Sequence, residues 1–190
     1  IKIKTDFDKK KVIKLLKKKI NFPVVIKPIN EGSSLGVYIC NEKNIIQNLK
    51  KLKAYDEILV EKFIPGREIQ VAILGKKKLG AIELKPKRKF YDFKAKYSSK
   101  AKTKHIIPVN IKTNEYKNVM NIALKAHKVL KCRGVTRSDF KFHKGKFYLL
   151  ETNTQPGMTS LSLVPEIALY HGMNFFSLID WIIKDASKNR

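Results

Sequence analysis

No stretch of this chain approaches the roughly 20 consecutive apolar residues that a membrane-spanning helix requires, although 43% of its residues are hydrophobic. The opening Ile1-Lys2-Ile3-Lys4 has neither the apolar core nor the cleavage site of a secretion signal, and no Met begins it. The expectation is therefore a cytoplasmic protein with no membrane partner, and the first residue reads as the interior of a longer chain. Cysteine is scarce. Cys40 and Cys132 form no metal-ligand spacing and read as free thiols of a reducing compartment. Acidic residues are scarce as well: 16 Asp and Glu stand against 41 Lys and Arg, a net charge of +25. An excess of that size points to nucleic acid or anionic surfaces. Here it is nearly all lysine, spread along the whole sequence beside abundant Ile and Asn, which resembles AT-rich codon bias more than a binding stripe. There is no zinc finger, helix-turn-helix or RNA-binding aromatic signature, so nucleic acid is not the expected partner. Internal repeats are absent too, and 190 residues suffice for one good core or two small lobes.

The elements read in order. Residues 6–19 (DFDKKKVIKLLKKK) form a basic amphipathic helix, with Asp6 able to cap its start. Phe22 to Pro28 is a β-branched strand ending on Lys27. Asn30-Glu31-Gly32-Ser33-Ser34-Leu35-Gly36 follows, then a strand from Val37 to Cys40. A Gly/Ser loop between two strands can cradle phosphates with its backbone N–H groups, and Lys27 stands ready to meet their charge. It is not a G-x-x-x-x-G-K-[ST] loop, because a strand follows it rather than a helix. A helix spans 42–53. Strands at 57–63 and 68–74 flank the Pro65-Gly66 turn and carry Glu61 and Glu68. Such carboxylates are usually just solvated; a functional reading needs a ligand with hydroxyls or an amine, such as ribose and adenine. Strand 80–84 precedes residues 86–108, which lose all periodicity and are dense in Lys, Tyr and Ser, as befits a lid over an anionic site. Helices follow at 114–130, with Leu130 expected inward, at 162–169, and at 174–184, with Phe175 expected to pack. The expected division is 1–75 and 76–190.

The most informative stretch runs from Arg137 to Leu163, RSDFKFHKGKFYLLETNTQPGMTSLSL. Residues i and i+2 of a strand face the same side. Arg137 with Asp139, and Glu151 with Asn153, therefore sit on one surface of an antiparallel hairpin. Asp139 and Glu151 stand opposite each other only if the loop is Lys144–Lys146 or a bulge intervenes. Alone, either carboxylate reads equally well as solvated charge. As a set, followed at once by Asn-Thr-Gln-Pro-Gly, they suit Mg²⁺ held together with substrate phosphates.

Four segments, PVVIKPINEGSSLGV, ILVEKFIPGREIQVAIL, YDFKAKY and FYLLETNTQPGMTSLSLVP, occur in this order over nearly the whole chain. Together they resemble D-alanine–D-alanine ligases of the ATP-grasp superfamily. The resemblance implies an α+β ATP-grasp fold, two lobes of antiparallel sheet and packed helices with the nucleotide between them. It implies joining of two D-alanines at the expense of ATP, through an acyl phosphate, with two Mg²⁺ ions (or Mn²⁺), for peptidoglycan precursor synthesis, in a protein that is commonly a homodimer. By motif, Lys27 holds ATP phosphates, and the loop from Glu31 through Ser33 and Ser34 to Gly36 covers them. Glu61, with the backbone at Lys62, Phe63 and Ile64, meets adenine, and Glu68 meets the ribose hydroxyls. Lys96 contacts the transferred phosphate, and Tyr97 closes the lid toward Ser33. Tyr at this place goes with D-alanine as second substrate, and Phe with D-lactate. Asp139, Glu151 and Asn153 bind the metal ions. Arg137 and the backbone at Gly157 stabilise the oxyanion, and Ser162 with Leu163 holds the second D-alanine's carboxylate. Two positions depart from the family pattern: Lys94 replaces the usual Glu, and TRSD replaces the commoner GR-x-D. The family's N-terminal domain, with the Glu for the first D-alanine's ammonium, has no counterpart here. The chain alone is expected to bind ATP weakly and to ligate poorly. Alternatives are another ATP-grasp carboxylate–amine ligase and a non-catalytic nucleotide-binding module.

Overall fold

The computed structural model describes residues 1–4, 8–86 and 103–187. The chain divides into two compact units, one built on Ile1–Ile64 and the other on Pro65–Lys87 with Thr103–Arg190. The sequence reading drew its line after residue 75. The division at Ile64/Pro65 instead keeps the strand Arg67–Leu74 with the strands it pairs with.

The first unit is a four-stranded antiparallel sheet with two helices. Its strands are β1 (Lys2–Lys4), β2 (Val24–Pro28), β3 (Tyr38–Cys40) and β4 (Glu57–Lys62), in the order β1-β4-β2-β3. β2 and β3 form the expected hairpin, pairing Val24 with Cys40 and Ile26 with Tyr38. Alternation puts Val24 and Ile26 of β2 and Ile58 and Val60 of β4 in the core. They meet Val12 and Leu16 of α1 (Lys9–Lys19) and Ile45 and Leu49 of α2 (Ile45–Lys51). Sinking an Ile or Leu side chain of this kind stabilises by roughly 1.5–3 kcal/mol. Asp6 lies outside the described residues. The cap of α1 is Asp8, whose Oδ1 accepts N–H bonds from Lys10 at 2.8 Å and Lys11 at 3.0 Å. Those bonds hold the Asp8 carboxyl below its ordinary range. Helix α2 is shorter than the 42–53 expected, because Asn41 and Asn44 bond the backbone around themselves and make a turn first.

The second unit is a five-stranded antiparallel sheet, β7-β6-β5-β8-β9. Its strands are β5 (Arg67–Leu74), β6 (Lys77–Lys85), β7 (Lys104–Ile106), β8 (Val135–His143) and β9 (Lys146–Asn153). One face carries Ile69, Val71, Ile73, Ala81 and Phe140, which pack on Val119, Met120 and Ala123 of α3 (Thr113–Val129). Over β6 on the other face lies α4 (Leu163–Tyr170), which also packs against α5 (Phe175–Ala186). Two inward expectations are corrected. Leu130 is 58% exposed, since α3 ends at Val129 and the buried place one turn earlier goes to His127. Phe175 is 45% exposed, because it is the first residue of α5, and Leu178 one turn on makes the buried contact.

The hairpin β8–β9 settles the question of register. Arg137 pairs with Asn153 and Asp139 with Glu151, as expected. The turn is not three residues but two: Lys144 and Gly145, with φ of 48° and 74°. Two left-handed residues in succession match the right-handed twist of the flanking strands. The odd residue is taken up by a bulge beyond Asp139. Phe140 pairs with Leu149, so Leu150 is the extra residue between Leu149 and Glu151. Near the tip, the opposed Phe142 and Phe147 stack with centroids 4.4 Å apart.

Candidate active site

Residues directly opposite one another in an antiparallel ladder have Cβ atoms about 4.5–5.5 Å apart and share a face. On the sheet face away from α3, three ladder rows lie side by side. The outer row is Glu68–Lys141, the middle row Gln70–Asp139–Glu151, and the inner row Ala72–Arg137–Asn153. The geometry of the side chains bears out this grid. Lys141 Nζ stands 2.7 Å from Glu68 Oε1, with both side chains largely buried. Arg137 grips Asp139 in the two-pronged way of guanidinium and carboxylate, Nε to Oδ1 at 2.8 Å and Nη2 to Oδ2 at 3.1 Å. Those two side chains keep 15% and 10% of their exposure. Glu151 is exposed at the sheet edge, and Asn153 is half-buried.

Gln70 is 3% exposed, and its Oε1 has no hydrogen-bond partner among the described residues. Leaving such an oxygen unpaired costs about 1–3 kcal/mol. It stands opposite Asp139, itself an acceptor, with the apolar Ile82 on its other side. Among the described residues no three His, Cys, Asp or Glu side chains gather to hold a metal ion. Two carboxylates and amide oxygens make a sparse, hard set. Such a set fits Mg²⁺, which takes its remaining ligands from water and phosphate, and does not fit a softer ion in an all-protein cage.

Beyond β9, Asn153 Oδ1 accepts the N–H of Gln155 at 3.0 Å, which turns the chain out of the sheet. The path then brings Gly157 against Ser162: a Cβ at 157 would lie 2.8 Å from Ser162 Oγ. A side chain at 157 would press on the Ser162 hydroxyl. Ser162 stands at the start of α4 but does not cap it; its Oγ accepts the N–H of Thr159 at 2.9 Å. Leu163 is buried in the first turn of α4.

In the first unit, Lys27 Nζ meets Glu61 Oε2 at 2.7 Å across neighbouring strands. The Gly32–Gly36 loop is held in a left-handed shape, with φ of 53° at Ser33, 61° at Ser34 and 68° at Gly36. Leu35 donates to the Gly32 carbonyl at 3.0 Å, closing the turn over the two serines. Glu31 is bonded by the Tyr55 hydroxyl, which pushes the Tyr55 phenol up. Phe63 N–H donates to the Pro23 carbonyl at 3.1 Å. Lys96, Tyr97 and the rest of residues 87–102 lie outside the described residues.

The structure thus brings Glu68, Arg137, Asp139, Glu151 and Asn153 onto one face, sets Gly157 beside Ser162, and joins Lys27 to Glu61. Sequence reasoning missed Gln70 and Lys141. The signal for Gln70 was an amide inside the run IQVAIL, two residues from Glu68 and so on its face. That for Lys141 was the same spacing from Asp139.

The model of the D-ala D-ala ligase C-terminus matches residues 2–184. The D-alanine–D-alanine ligase of Pelagibacter ubique (strain HTCC1062) is 64% identical over 190 residues, which are 100% of this chain and 62% of the relative. That of Bartonella bacilliformis is 46% identical over 173 residues, 87% of this chain and 56% of the relative. Among solved structures, the D-alanine–D-alanine ligase of Bacillus anthracis superposes with a TM-score of 0.81 at 32% identity, covering 98% of this chain and 60% of that one. The same enzyme complexed with ATP gives a TM-score of 0.78 at 28% identity, covering 98% and 58%. The chain therefore spans about three-fifths of the length of these relatives.

Proposed function

The chain belongs to the D-alanine–D-alanine ligase family, with the ATP-grasp fold, and on that premise we propose that it carries the nucleotide, metal and second-substrate portion of an ATP-dependent D-alanine–D-alanine ligase. The observation that carries the reading is the opposition of Asp139 to Glu151, with Arg137 and Asn153 in the next row of the same face.

Phosphoryl transfer asks the protein for positioning and charge neutralisation rather than a nucleophile, and the residues answer to that need. The carboxylate of the first D-alanine attacks the γ-phosphorus of ATP and ADP leaves, giving an acyl phosphate. The amine of the second D-alanine attacks the acyl carbon. Phosphate then departs and the amine's proton is lost, leaving the dipeptide. Lys27 meets phosphate charge, the Glu31–Gly36 loop lies over it, Glu61 with the backbone of Lys62, Phe63 and Ile64 meets adenine, and Glu68 meets ribose. Asp139, Glu151 and Asn153 would hold Mg²⁺, which when bound neutralises the phosphate charge. Arg137 and the Gly157 backbone face the oxyanion of the tetrahedral intermediate. Ser162 and the helix start at Leu163 take the carboxylate of the second D-alanine. Lys96 and Tyr97 join this proposal by motif alone, the first at the transferred phosphate and the second favouring D-alanine over D-lactate. A cytoplasmic homodimer serving peptidoglycan precursor synthesis completes the reading; among the described residues no helix is long and apolar enough to cross a membrane.

The test is Mg²⁺-dependent ATP binding, followed by D-alanine-dependent phosphate release, for Asp139→Ala and Glu151→Ala. Both changes are expected to abolish Mg²⁺-dependent binding. Binding that survives them overturns the metal assignment.

A further inference from the structure

Resting on the metal assignment just made, we propose that Gln70 is a further member of the cation site, its amide oxygen facing the divalent ion directly or through one water. Gln70 stands in the same ladder row as Asp139 and Glu151. Its face is fixed by its neighbours: the Glu68–Lys141 contact on one side and the Arg137–Asp139 contact on the other both lie on that surface. Its Oε1 is buried and unpartnered among the described residues.

The surroundings narrow down what could satisfy that oxygen. On one side Gln70 stands opposite Asp139, whose carboxylate oxygens are gripped by Arg137, and on the other opposite the apolar Ile82. Nearby Lys141 is engaged by Glu68 at 2.7 Å. Packing does not ask for an amide here, since Ile82 on the adjoining strand and Ala72 two residues on are apolar and buried. An acceptor set beside the Asp139 carboxylate is satisfied by a bridging water or by a cation, and the metal assignment supplies the cation.

Three variants of the 190-residue chain test this. Mn²⁺ is titrated into each in the presence of a non-hydrolysable ATP analogue, and bound ion is read by the loss of the free Mn²⁺ resonance. The melting temperature of the metal-free protein is taken alongside. Gln70→Met keeps length and loses the oxygen. It is expected to weaken Mn²⁺ binding about tenfold or more, in the range of residues that support metal ligands, and to raise the metal-free melting temperature by removing an unsatisfied buried group. Gln70→Glu retains an oxygen at the same place and is expected to bind Mn²⁺ at least as tightly as the native chain. Asp139→Asn should lose the ion altogether.

Unchanged affinity in Gln70→Met overturns the inference, as does a lowered metal-free melting temperature, which would mean that the amide has a structural partner. Affinity in Gln70→Glu below that of Gln70→Met overturns the ligand role, since it would mean that the amide's N–H₂ serves Asp139 instead. If Asp139→Asn keeps its Mn²⁺, the metal assignment itself falls. If Asp139→Asn loses it while Gln70→Met does not, only the role of Gln70 falls.

Discussion

Arg137 and Asp139 are two residues apart in sequence and bonded twice in space. With so little exposure left to either side chain, their pairing is a folding matter as well as a chemical one. Arg137→Met would strand a carboxylate in a mostly dry place. Its expected cost is about 2–3 kcal/mol in urea unfolding, somewhat under the range for fully buried pairs. Lys2→Met removes a partner of Glu57 from a pair whose side chains are 64% and 46% exposed; its expected cost is about 0–1 kcal/mol. Equal losses for the two would refute the argument from burial. His127 gives a second expectation. It is buried against Thr136, Nδ1 to Oγ1 at 2.8 Å, and burial pushes its imidazole below its ordinary value. The unfolded chain therefore takes up a proton that the folded chain refuses. Stability is full above about pH 6.5, the ordinary value for histidine, and declines as pH falls through it. Urea unfolding at pH 7.5 and 5.5 should show that decline, and His127→Gln should lose much of it.

At the scale of elements, period-2 spacing was enough to predict the hairpin, its shared face and the opposition of Asp139 to Glu151, because a strand's geometry is local. The turn was not legible in the same way. A three-residue loop and a two-residue turn with one bulge put the same residues opposite each other, and LLETN does not say which leucine is surplus. The side-chain contacts within each unit are less legible still. Lys27 with Glu61, Glu68 with Lys141 and the stranded amide of Gln70 depend on which strands become neighbours, and nothing within any one segment shows that. The bulge itself makes a prediction. Deleting Leu150 removes the extra residue and leaves an unbroken ladder in which Glu151 still opposes Asp139 and Asn153 still opposes Arg137. Such a variant should keep its far-ultraviolet dichroism and its Mg²⁺-dependent ATP binding. Lost binding would show that the local twist of the bulge, and not the register alone, aims the two residues.

For the molecule as a whole, the net charge of +25 is spread along the sequence, and it acts on any approaching anion. The long-range part of that attraction is screened over about 8 Å at physiological salt. The association rate of MgATP should therefore fall as NaCl is raised, by severalfold between about 10 mM and 150 mM, while its dissociation rate changes little. Stopped-flow binding checks this; a salt effect confined to dissociation would assign the charge to local contacts. Fold class was readable at this scale from the sequence, through the order of four motifs. The division at Ile64/Pro65 was less so, because it depends on β5 preferring β6 and β8 as partners over the strand just before it in the chain.

The two-residue turn and the surplus Leu150 also behave as one inherited quantity. A strand pair has a phase, and the turn and the bulge can trade a residue without disturbing it. A hairpin with one more residue at its tip and one fewer near position 150 keeps the same carboxylates opposite each other. Length changes paired in this way, one at each end of β9, therefore present the same face.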